Sequence, residues 1–434
     1  MRINQILVIS VTALALLVAT LAADMCSAES GDVQDAGDTG WLLICSALVF
    51  VMSPGVALFY GGMIRKQSMS SVMAQTVMVM GIMAVSWTVI GYSLAFSGDF
   101  SGIIGNLDRL LLSGMDVGDP AGMSETGFAL FQMTFSLITA SIVLGACMER
   151  VRFNAIAVFI AIWSILVYAP MAHWVWGGGL FDQHLVVLDF AGGTVVHICA
   201  ATTGLALAVF VGRRSDRVIK RAHSMPMVFL GFAMLWFGWL GFNGGSGLAA
   251  DGIAINAVLV TIVAPAAGLV LWATIQTIHA GHTSTLGLVS GALAGLVAIT
   301  PAAGYVGPGA ALVIGAVGGA VCYGGVIFMR TRSGIDDALD VFGVHGFGAI
   351  WGAIATGLLA APGMVEAGYE GLVYGGVSLF AGQIVAVVLT VLFCFAMSYG
   401  IIWAVSRLMR VRLTENEEAV GADMSEHGEP SYMM

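Results

Sequence analysis

Long apolar stretches recur along the chain and are separated by short polar or glycine-rich segments. A helix needs about 20 predominantly apolar residues to cross the hydrocarbon layer of a membrane. Eleven stretches fit this pattern, at residues 41–62, 71–96, 126–147, 153–176, 190–212, 225–246, 252–278, 283–300, 306–329, 342–361 and 374–405. The pattern predicts an all-α polytopic membrane protein with eleven transmembrane helices.

The first 28 residues form a separate unit. Arg2 precedes an apolar run that is short for a membrane span, which is typical of a secretory signal peptide. We predict cleavage of residues 1–28, after Ala22 or Ala28, and the alternative is an uncleaved first span. The acidic segment that follows, residues 29–40, is then predicted to be external.

The basic residues predict the orientation, because Lys and Arg concentrate in the cytoplasmic loops of membrane proteins. With the mature N-terminus outside, all but Arg2 and Arg109 of the 16 basic residues fall on the cytoplasmic side. They are Arg65, Lys66, Arg150, Arg152, Arg213, Arg214, Arg217, Lys220, Arg221, Arg330, Arg332, Arg407, Arg410 and Arg412. We therefore predict a membrane domain over residues 41–405, in the inner (cytoplasmic) membrane, and a cytoplasmic C-terminal tail over residues 406–434.

Because five is an odd number, a second set of five spans enters the membrane from the opposite side to the first set. A duplication of five spans would therefore give an inverted repeat about a pseudo-twofold axis in the membrane plane. FYGG ends the first span and FNGG the sixth, and the fifth and tenth spans contain VVH and GVH. The predicted repeat halves are residues 41–212 and 225–361, followed by a last helix at 374–405. This symmetry would place His197 and His345 opposite each other near the middle of the membrane.

Composition agrees with the membrane class. Hydrophobic residues make up 59% of the 434, charged residues 10%, and the mean hydropathy is +0.94, which excludes a water-soluble globule. The net charge of −10 lies mainly in the tails and one loop, and we expect no nucleic-acid partner. The six cysteines are scattered singly, without metal-ligand spacing, and no catalytic set is visible. We expect no cofactor, no metal and no enzyme activity.

Two histidines lie well inside apolar spans. His197 lies in DFAGGTVVHICAATTGLALAVF, residues 189–210, and His345 lies in VFGVHGFGAIWGAIATGLLA, residues 341–360. An ionisable side chain inside a span is costly and by default indicates a substrate or proton pathway. The alternative is a histidine that bonds to a nearby backbone carbonyl. The presence of two such spans favours a functional pair.

Aromatic residues near the predicted outer surface form a second candidate site. Trp239, Phe242 and Ser246 are spaced to lie on one face of the sixth helix, and Trp176 closes the fourth span at the same surface. Such aromatics commonly form an interfacial belt. The alternative is a cation site, because an aromatic face attracts an ammonium-like ion and a hydroxyl accepts a hydrogen bond.

Further residues complete the candidate set. Phe131 and Phe135 lie one turn apart in the third span and could close a narrow pore with Phe242; core or lipid-facing packing is the alternative. Asp189 precedes a Gly-Gly pair and is predicted to cap the fifth helix and to raise cation affinity at the outer mouth. The acidic residues before the tenth span are predicted to cap it and to stay solvated: Asp336, Asp337 and Asp340.

The chain resembles the ammonium transporters of the Amt/Mep/Rh superfamily, on the Amt side. DFAGGTVVH (residues 189–197) is similar to that family's signature, and SPGVALFYGG (53–62), FGWLGFNGGS (237–246) and DDALDVFGVHG (336–346) agree with it. The resemblance covers about residues 41–432. It implies an eleven-span protomer with a pseudo-twofold repeat, assembled as a homotrimer with one pore per subunit.

The resemblance also implies roles for the candidate residues. One set resembles the family's outer ammonium-recruitment site: Trp176, Phe135 and Ser246, with Trp239 nearby. Another set resembles its stacked phenylalanine gate: Phe135 and Phe242, with Phe131 beside them. His197 and His345 resemble the twin-histidine pair in the pore, and Asp189 resembles the essential acidic residue.

These roles imply transport of ammonium, with methylammonium as a further candidate substrate, across the lipid bilayer. Removing water from a charge is costly, so we expect ammonium to lose its proton at the outer site and to cross as ammonia, with the histidines relaying the proton in an electrogenic process. The tail GADMSEHGEPSY, residues 421–432, is similar to Amt tails that bind PII-type signalling proteins. A neutral ammonia channel and an ammonium sensor acting through a PII-type partner are the alternatives.

Overall fold

The structure, a computed structural model, describes residues 36–115, 124–215 and 222–432. Within these ranges the regular structure is helical, and β pairing is limited to isolated bridges. The predicted signal peptide, residues 1–28, and the beginning of the predicted external segment lie outside the described residues.

Eleven helices in the described ranges are long and apolar enough to cross a membrane, which confirms the predicted number. They are α1 (Ala36–Met63), α2 (Lys66–Phe96), α3 (Glu125–Leu144), α4 (Phe153–His184), α5 (Gly193–Val211), α6 (Met225–Gly245), α7 (Gly252–Ala280), α8 (Thr285–Ala302), α9 (Pro308–Thr331), α10 (Phe342–Leu359) and α11 (Val377–Leu408). The inverted repeat and the orientation stay predictions.

Several helices extend beyond their predicted limits, and α1 and α4 show local reasons for it. α1 begins at Ala36 rather than at residue 41, with Asp38 in its first turn, where a negative charge is favourable. The helical region of α4 continues past Trp176, because the chain turns at Gly178 and then forms one further helical segment, Leu180–His184.

Glycines allow neighbouring helices to approach closely. α1 and α6 pack against each other, and a Cβ atom on Gly231 of α6 would lie 2.3 Å from the backbone nitrogen of Phe59 in α1. α7 and α9 are also in close contact, because a Cβ atom on Gly315 would lie 2.0 Å from the carbonyl oxygen of Ala264. Lipid gives helices no hydrophobic drive to associate, so this close packing is a main source of their cohesion.

Charged residues link the loops at the predicted cytoplasmic end. Glu149, between α3 and α4, pairs with Arg65 at 2.5 Å and with Arg214 at 3.4 Å. Arg214 also pairs with Asp336, which precedes α10, at 2.7 Å. Burial alone would raise the pKa of Asp336, but hydrogen bonds from Arg214 and the charge of Arg150 outweigh it and lower that pKa. These contacts join four loops that are distant in the sequence.

The C-terminal tail folds back onto the same end of the molecule. A short helix, α12 (Glu415–Val420), begins with a capping box formed by Thr414 and Glu417. Glu417 also pairs with Arg152 at 2.5 Å, and Asp423 accepts a backbone N–H near the start of α2 at 2.8 Å. The described part of the tail is therefore packed against the membrane domain.

Cysteine labelling tests the predicted orientation. The described native cysteines are buried, so in a Cys26→Ser background a new exposed cysteine becomes the main target of a membrane-impermeant maleimide. We expect Asp182→Cys to be labelled in intact cells and Glu429→Cys only after the membrane is permeabilised. The reverse pattern would contradict the orientation.

Candidate functional site

Asp189 organises the start of α5. Its carboxylate accepts the backbone N–H groups of Gly192, Gly193 and Thr194 at 2.7–2.8 Å and that of Val195 at 3.2 Å. N–H groups at the start of a helix have no partner within the helix. Gly192 has a φ of 102°, which suits glycine and lets the chain curl around the carboxylate. Burial raises the pKa of the Asp189 carboxyl, and the four hydrogen bonds oppose this rise in part.

A second aspartate has the same arrangement at the start of α10. The carboxylate of Asp337 accepts three successive backbone N–H groups at 2.7–3.3 Å. Asp337 is only 8% exposed, so the expectation that it stays solvated is wrong. Its two acidic neighbours are ion-paired, Asp336 with Arg214 and Asp340 with Arg330. The predicted capping of α10 is confirmed for Asp337, but sequence reasoning missed its burial, although the same spacing separates Asp189 from His197 and Asp337 from His345.

Each candidate pore histidine follows one of these capped starts. His197 and His345 both lie in π-helical turns, a wider form of helix that is frequent at functional sites. The two turns are Gly193–Ile198 in α5 and Phe342–Gly346 in α10. Both side chains are buried between helices.

The two histidines contact each other. The Nδ1 atoms of His197 and His345 are 3.2 Å apart, and the ring planes differ by 25°. If both rings are neutral, one Nδ1 donates the hydrogen bond and the other accepts it. The Nε2 atom of His197 has no hydrogen-bond partner among the described residues. The partner of His197 is therefore the other histidine rather than a backbone carbonyl.

A series of aromatic rings covers the histidines on one side. Phe135 and Phe242 are stacked, with centroids 4.2 Å apart and planes 12° apart. Phe131 and Trp176 meet Phe135 edge-on, at 4.8 Å and 6.0 Å. Phe242 in turn lies 5.9 Å from the ring of His197. The three phenylalanines are fully buried, so this side of the site is closed.

Trp176 and Ser246 lie at the half-buried end of this series. Trp176 donates its Nε1–H to the backbone carbonyl oxygen of Asp189 at 2.8 Å. Ser246 donates its hydroxyl hydrogen to the carbonyl oxygen of Phe242 at 2.8 Å. The aromatic end of the site is thus connected both to the cap of α5 and to the last turn of α6.

Trp239 lies deeper than its sequence grouping with Trp176 suggests. Its ring is fully buried, stacks on His197 at 5.2 Å and lies 5.7 Å from Phe242. Its Nε1–H donates to the hydroxyl of Thr300 at 2.8 Å. The residue spacing along α6 predicted that Trp239 shares a helical face with Phe242 and Ser246, but it did not predict how deep Trp239 lies in the bundle. Sequence reasoning has no signal for Thr300, whose local pattern resembles that of other threonines in the spans.

A narrow cavity lies next to His345, between α1, α3, α6 and α8. Its volume is about 10 Å³, close to the minimum for one water-sized molecule. Besides His345, its lining is mainly apolar and includes Ile138, Leu235 and Leu293, and the Tyr60 hydroxyl is engaged by the carbonyl oxygen of Ile142 at 3.2 Å. The cavity offers little to stabilise an ion.

The half-buried aromatic end, the stacked phenylalanines, the histidine pair and the small cavity follow one another through the helix bundle. An apolar passage with two imidazoles suits a molecule that is small and uncharged while it crosses. The fold and the site define a polytopic helical membrane protein with a narrow candidate pathway for a small solute.

Comparisons with known proteins give the family. Residues 40–432 match the model described as the Ammonium Transporter Family. An ammonium transporter of Bacillus subtilis (strain 168) is 47% identical over 400 residues, which cover 91% of this chain and 98% of the relative. The crystal structure of Saccharomyces cerevisiae Mep2 has a TM-score of 0.81 and 32% identity, covering 88% of this chain and 91% of that one. A sensor Amt protein has a TM-score of 0.85 and 26% identity, covering 90% and 98%. The chain belongs to the ammonium transporter family.

The buried cap of α10 gives a prediction about stability and pH. Burial, and then the charge of Asp340, raise the pKa of Asp337 to about 7. The folded protein therefore binds this proton more tightly than the unfolded chain, and the stability it contributes is lost as pH rises from the ordinary pKa of 3.8 to about 7. We expect the melting temperature of the purified protein to fall from about pH 5 to about pH 7 and to level off above that, and we expect Asp337→Asn to flatten the fall.

The matched control for this prediction is Asp182→Asn, because Asp182 is an exposed acidic residue. Its melting temperature should follow that of the unsubstituted protein at each pH. Parallel curves for Asp337→Asn and the unsubstituted protein would show that Asp337 does not titrate in this range.

Proposed function

We propose that the protein moves ammonium across the cytoplasmic membrane by recruiting the ion at its outer face and conducting ammonia through the helix bundle. The observation that carries the proposal is the buried pair of His197 and His345, in Nδ1 to Nδ1 contact at 3.2 Å behind stacked phenylalanine rings. Family membership supports the choice of substrate, since the Bacillus subtilis relative is named an ammonium transporter.

Recruitment of the ion is assigned to the half-buried aromatic end of the site. The faces of Trp176 and Phe135 attract a cation through the ring quadrupole. The Ser246 hydroxyl uses its hydrogen on the Phe242 carbonyl, so its oxygen lone pairs remain to accept hydrogen bonds from ammonium. Trp239 contributes from deeper in the site, where it stacks on His197.

Asp189 supports this site by its charge and by its position. Both carboxylate oxygens are engaged by backbone N–H groups, so we assign it electrostatic attraction and positioning rather than direct capture of the proton. Its backbone carbonyl also orients Trp176. Its negative charge lowers the cost of holding a cation near the outer mouth.

The stacked phenylalanines act as a gate in this proposal. With centroids 4.2 Å apart, the rings of Phe135 and Phe242 are in direct contact, and Phe131 packs against the edge of Phe135. A solute can pass only when these rings rotate. The contact excludes continuous water, which keeps hydrated ions out of the pathway.

Ammonium is expected to lose its proton at this gate. Carrying the ion further would require removing its water in an apolar channel, which costs several kcal/mol even when compensation is partial. Neutral ammonia avoids most of this cost and matches the small apolar cavity next to His345. Potassium cannot release a proton, so the same step excludes it.

The histidine pair is assigned the proton route. Two hydrogen-bonded imidazoles can pass a proton by taking it on one nitrogen and releasing it from another. The free Nε2 atom of His197 provides an entry point, and the contact with His345 provides the next step. Movement of ammonia together with a proton makes net transport electrogenic.

Two alternatives have different outcomes in the same assays. A neutral ammonia channel would move the gas without charge. A sensor would bind ammonium without flux and report through the tail to a PII-type protein; similarity to a sensor Amt protein supports this second alternative. We also propose that the protein forms a homotrimer with one pore per subunit, which its mass in detergent would establish.

Currents on proteoliposomes test the function. A pulse of ammonium should evoke a transient current in vesicles that contain the purified protein, and a pulse of potassium should not. Ammonia flux seen by internal pH without any current would favour the neutral channel. No flux of either kind, together with a stoichiometric complex with a PII-type protein, would favour the sensor.

Substitution of the histidines tests the proton route. We expect His197→Ala and His345→Ala to reduce the ammonium current by about 100-fold or to admit potassium, because each removes a proton-carrying ring from an apolar passage. His184→Ala is the control, because this histidine is exposed outside the pathway. Unchanged current and selectivity in both pore variants would contradict the relay.

A further inference from the structure

His173, near the outer end of α4, is a buried histidine that the proposed pore does not use. Its side chain is fully buried. Its Nδ1 atom is 3.0 Å from the backbone carbonyl oxygen of Ala95, at the end of α2. Its Nε2 atom is 3.0 Å from a carboxylate oxygen of Asp99, in the loop after α2. Both ring nitrogens therefore face oxygen atoms of the same neighbouring segment.

These two partners favour the charged form of the ring. A backbone carbonyl only accepts hydrogen bonds, and so does an ionised carboxylate. The hydrogen bond from His173 lowers the pKa of Asp99, and further hydrogen bonds from Gln183 and the N–H of Gly102 act in the same direction. With Asp99 ionised, both ring nitrogens of His173 face acceptors, and only the imidazolium form can donate to both of them.

The backbone around His173 is folded tightly onto its ring. The N–H groups of Gly177 and Gly179 both donate to the carbonyl oxygen of His173, at 3.0 Å and 2.9 Å. A Cβ atom on Gly177 would lie 2.0 Å from the carbonyl oxygen of Ala95, and one on Gly179 would lie 2.7 Å from the ring of His173. Only glycine fits at these two positions, so the turn at Gly178 within α4 takes its shape from the histidine.

This turn holds the aromatic residue of the outer site. Trp176 lies between His173 and the turn and donates to the carbonyl oxygen of Asp189. Trp174 donates its Nε1–H to the carbonyl oxygen of Ile103 at 2.8 Å, which ties the same helix end to the loop after α2. The position of Trp176 therefore depends on contacts made on both sides of it.

We propose that His173 is a positioning residue, held as an imidazolium by Asp99 and the Ala95 carbonyl, that fixes Trp176 at the outer entrance. The inference rests on the proposed role of Trp176 in recruiting ammonium. The ion pair of His173 and Asp99 lies outside the pore and joins the residues that set the affinity for ammonium. Loss of this pair would move the indole ring and weaken recruitment while leaving the gate and the histidine pair in place.

Spectra of the unsubstituted protein test the charge state and the positioning without any transport. In protein labelled with ¹⁵N-histidine, the His173 signal, assigned by its loss in His173→Gln, should show hydrogen on both ring nitrogens near neutral pH. The indole N–H signal of Trp176, assigned by its loss in Trp176→Phe, should shift in His173→Gln and in Asp99→Asn. A neutral His173 ring, or a Trp176 signal that does not move in either variant, overturns the proposal.

Transport measurements test the consequence for recruitment. His173→Gln and Asp99→Asn should raise the half-saturating ammonium concentration about tenfold, because each removes a charged hydrogen bond, while the maximal current changes by less than about twofold. Asp99→Glu, which keeps the charge, should restore much of the affinity, and Asp182→Asn should behave as the unsubstituted protein. If both folded variants keep the half-saturating ammonium concentration of the unsubstituted protein, the proposal is overturned. If the unsubstituted protein shows no ammonium flux, the proposed function is contradicted, and the spectra alone then test the role of His173.

Discussion

The backbone N–H groups at the start of a helix need acceptors, and inside a membrane protein water does not supply them. In α5 and α10, Asp189 and Asp337 supply these acceptors with their side chains. Because each carboxylate binds several successive N–H groups, it fixes the conformation of the first turn. That turn sets the direction in which His197 and His345 leave the backbone, so the contact between the two rings depends on both caps.

The remaining parts of the site are organised around these capped turns. On one side, the main chain of Asp189 holds Trp176, which in turn contacts Phe135 in the aromatic series. On the other side, Asp337 adjoins the paired charges that join the loops and the tail. A structural change at either end can therefore reach the histidines through a few hydrogen bonds. The apolar rings between them keep the centre free of competing polar partners.

Much of the fold could be predicted from sequence because membrane helices leave a strong signal. Apolar length alone gave the number of spans, and depth within a span distinguished His197 and His345 from the other histidines. The positions of Trp239 and Asp337 could not be obtained in this way. Spacing along α6 identifies a face but not the depth at which Trp239 packs, and charge suggests exposure where Asp337 is in fact buried by the turn it caps.

The tail and His173 show a further limit of sequence reasoning. Asp423 bonds to α2 and Glu417 pairs with Arg152 across long sequence separations, which hydropathy and local motifs do not encode. For His173, the neighbouring glycines appear in the sequence only as part of a flexible-looking GGG run. These glycines leave space beside the imidazole ring, and this role can be recognised only once the structure places the loop after α2 next to them.

The π-helical turns that carry the paired histidines have a consequence for how such a site can change. A π-helical turn accommodates one residue more than an α-helical turn would. Loss of a single residue within Gly193–Ile198 would let the turn close to an α-helical one, so the rest of α5 could keep its orientation while the side chains inside the turn shift around the helix axis. His197 lies within this turn, so its contact with His345 would change although both imidazoles were still present. The number of residues in these turns thus bears on the contact between the rings as directly as the identity of the histidines.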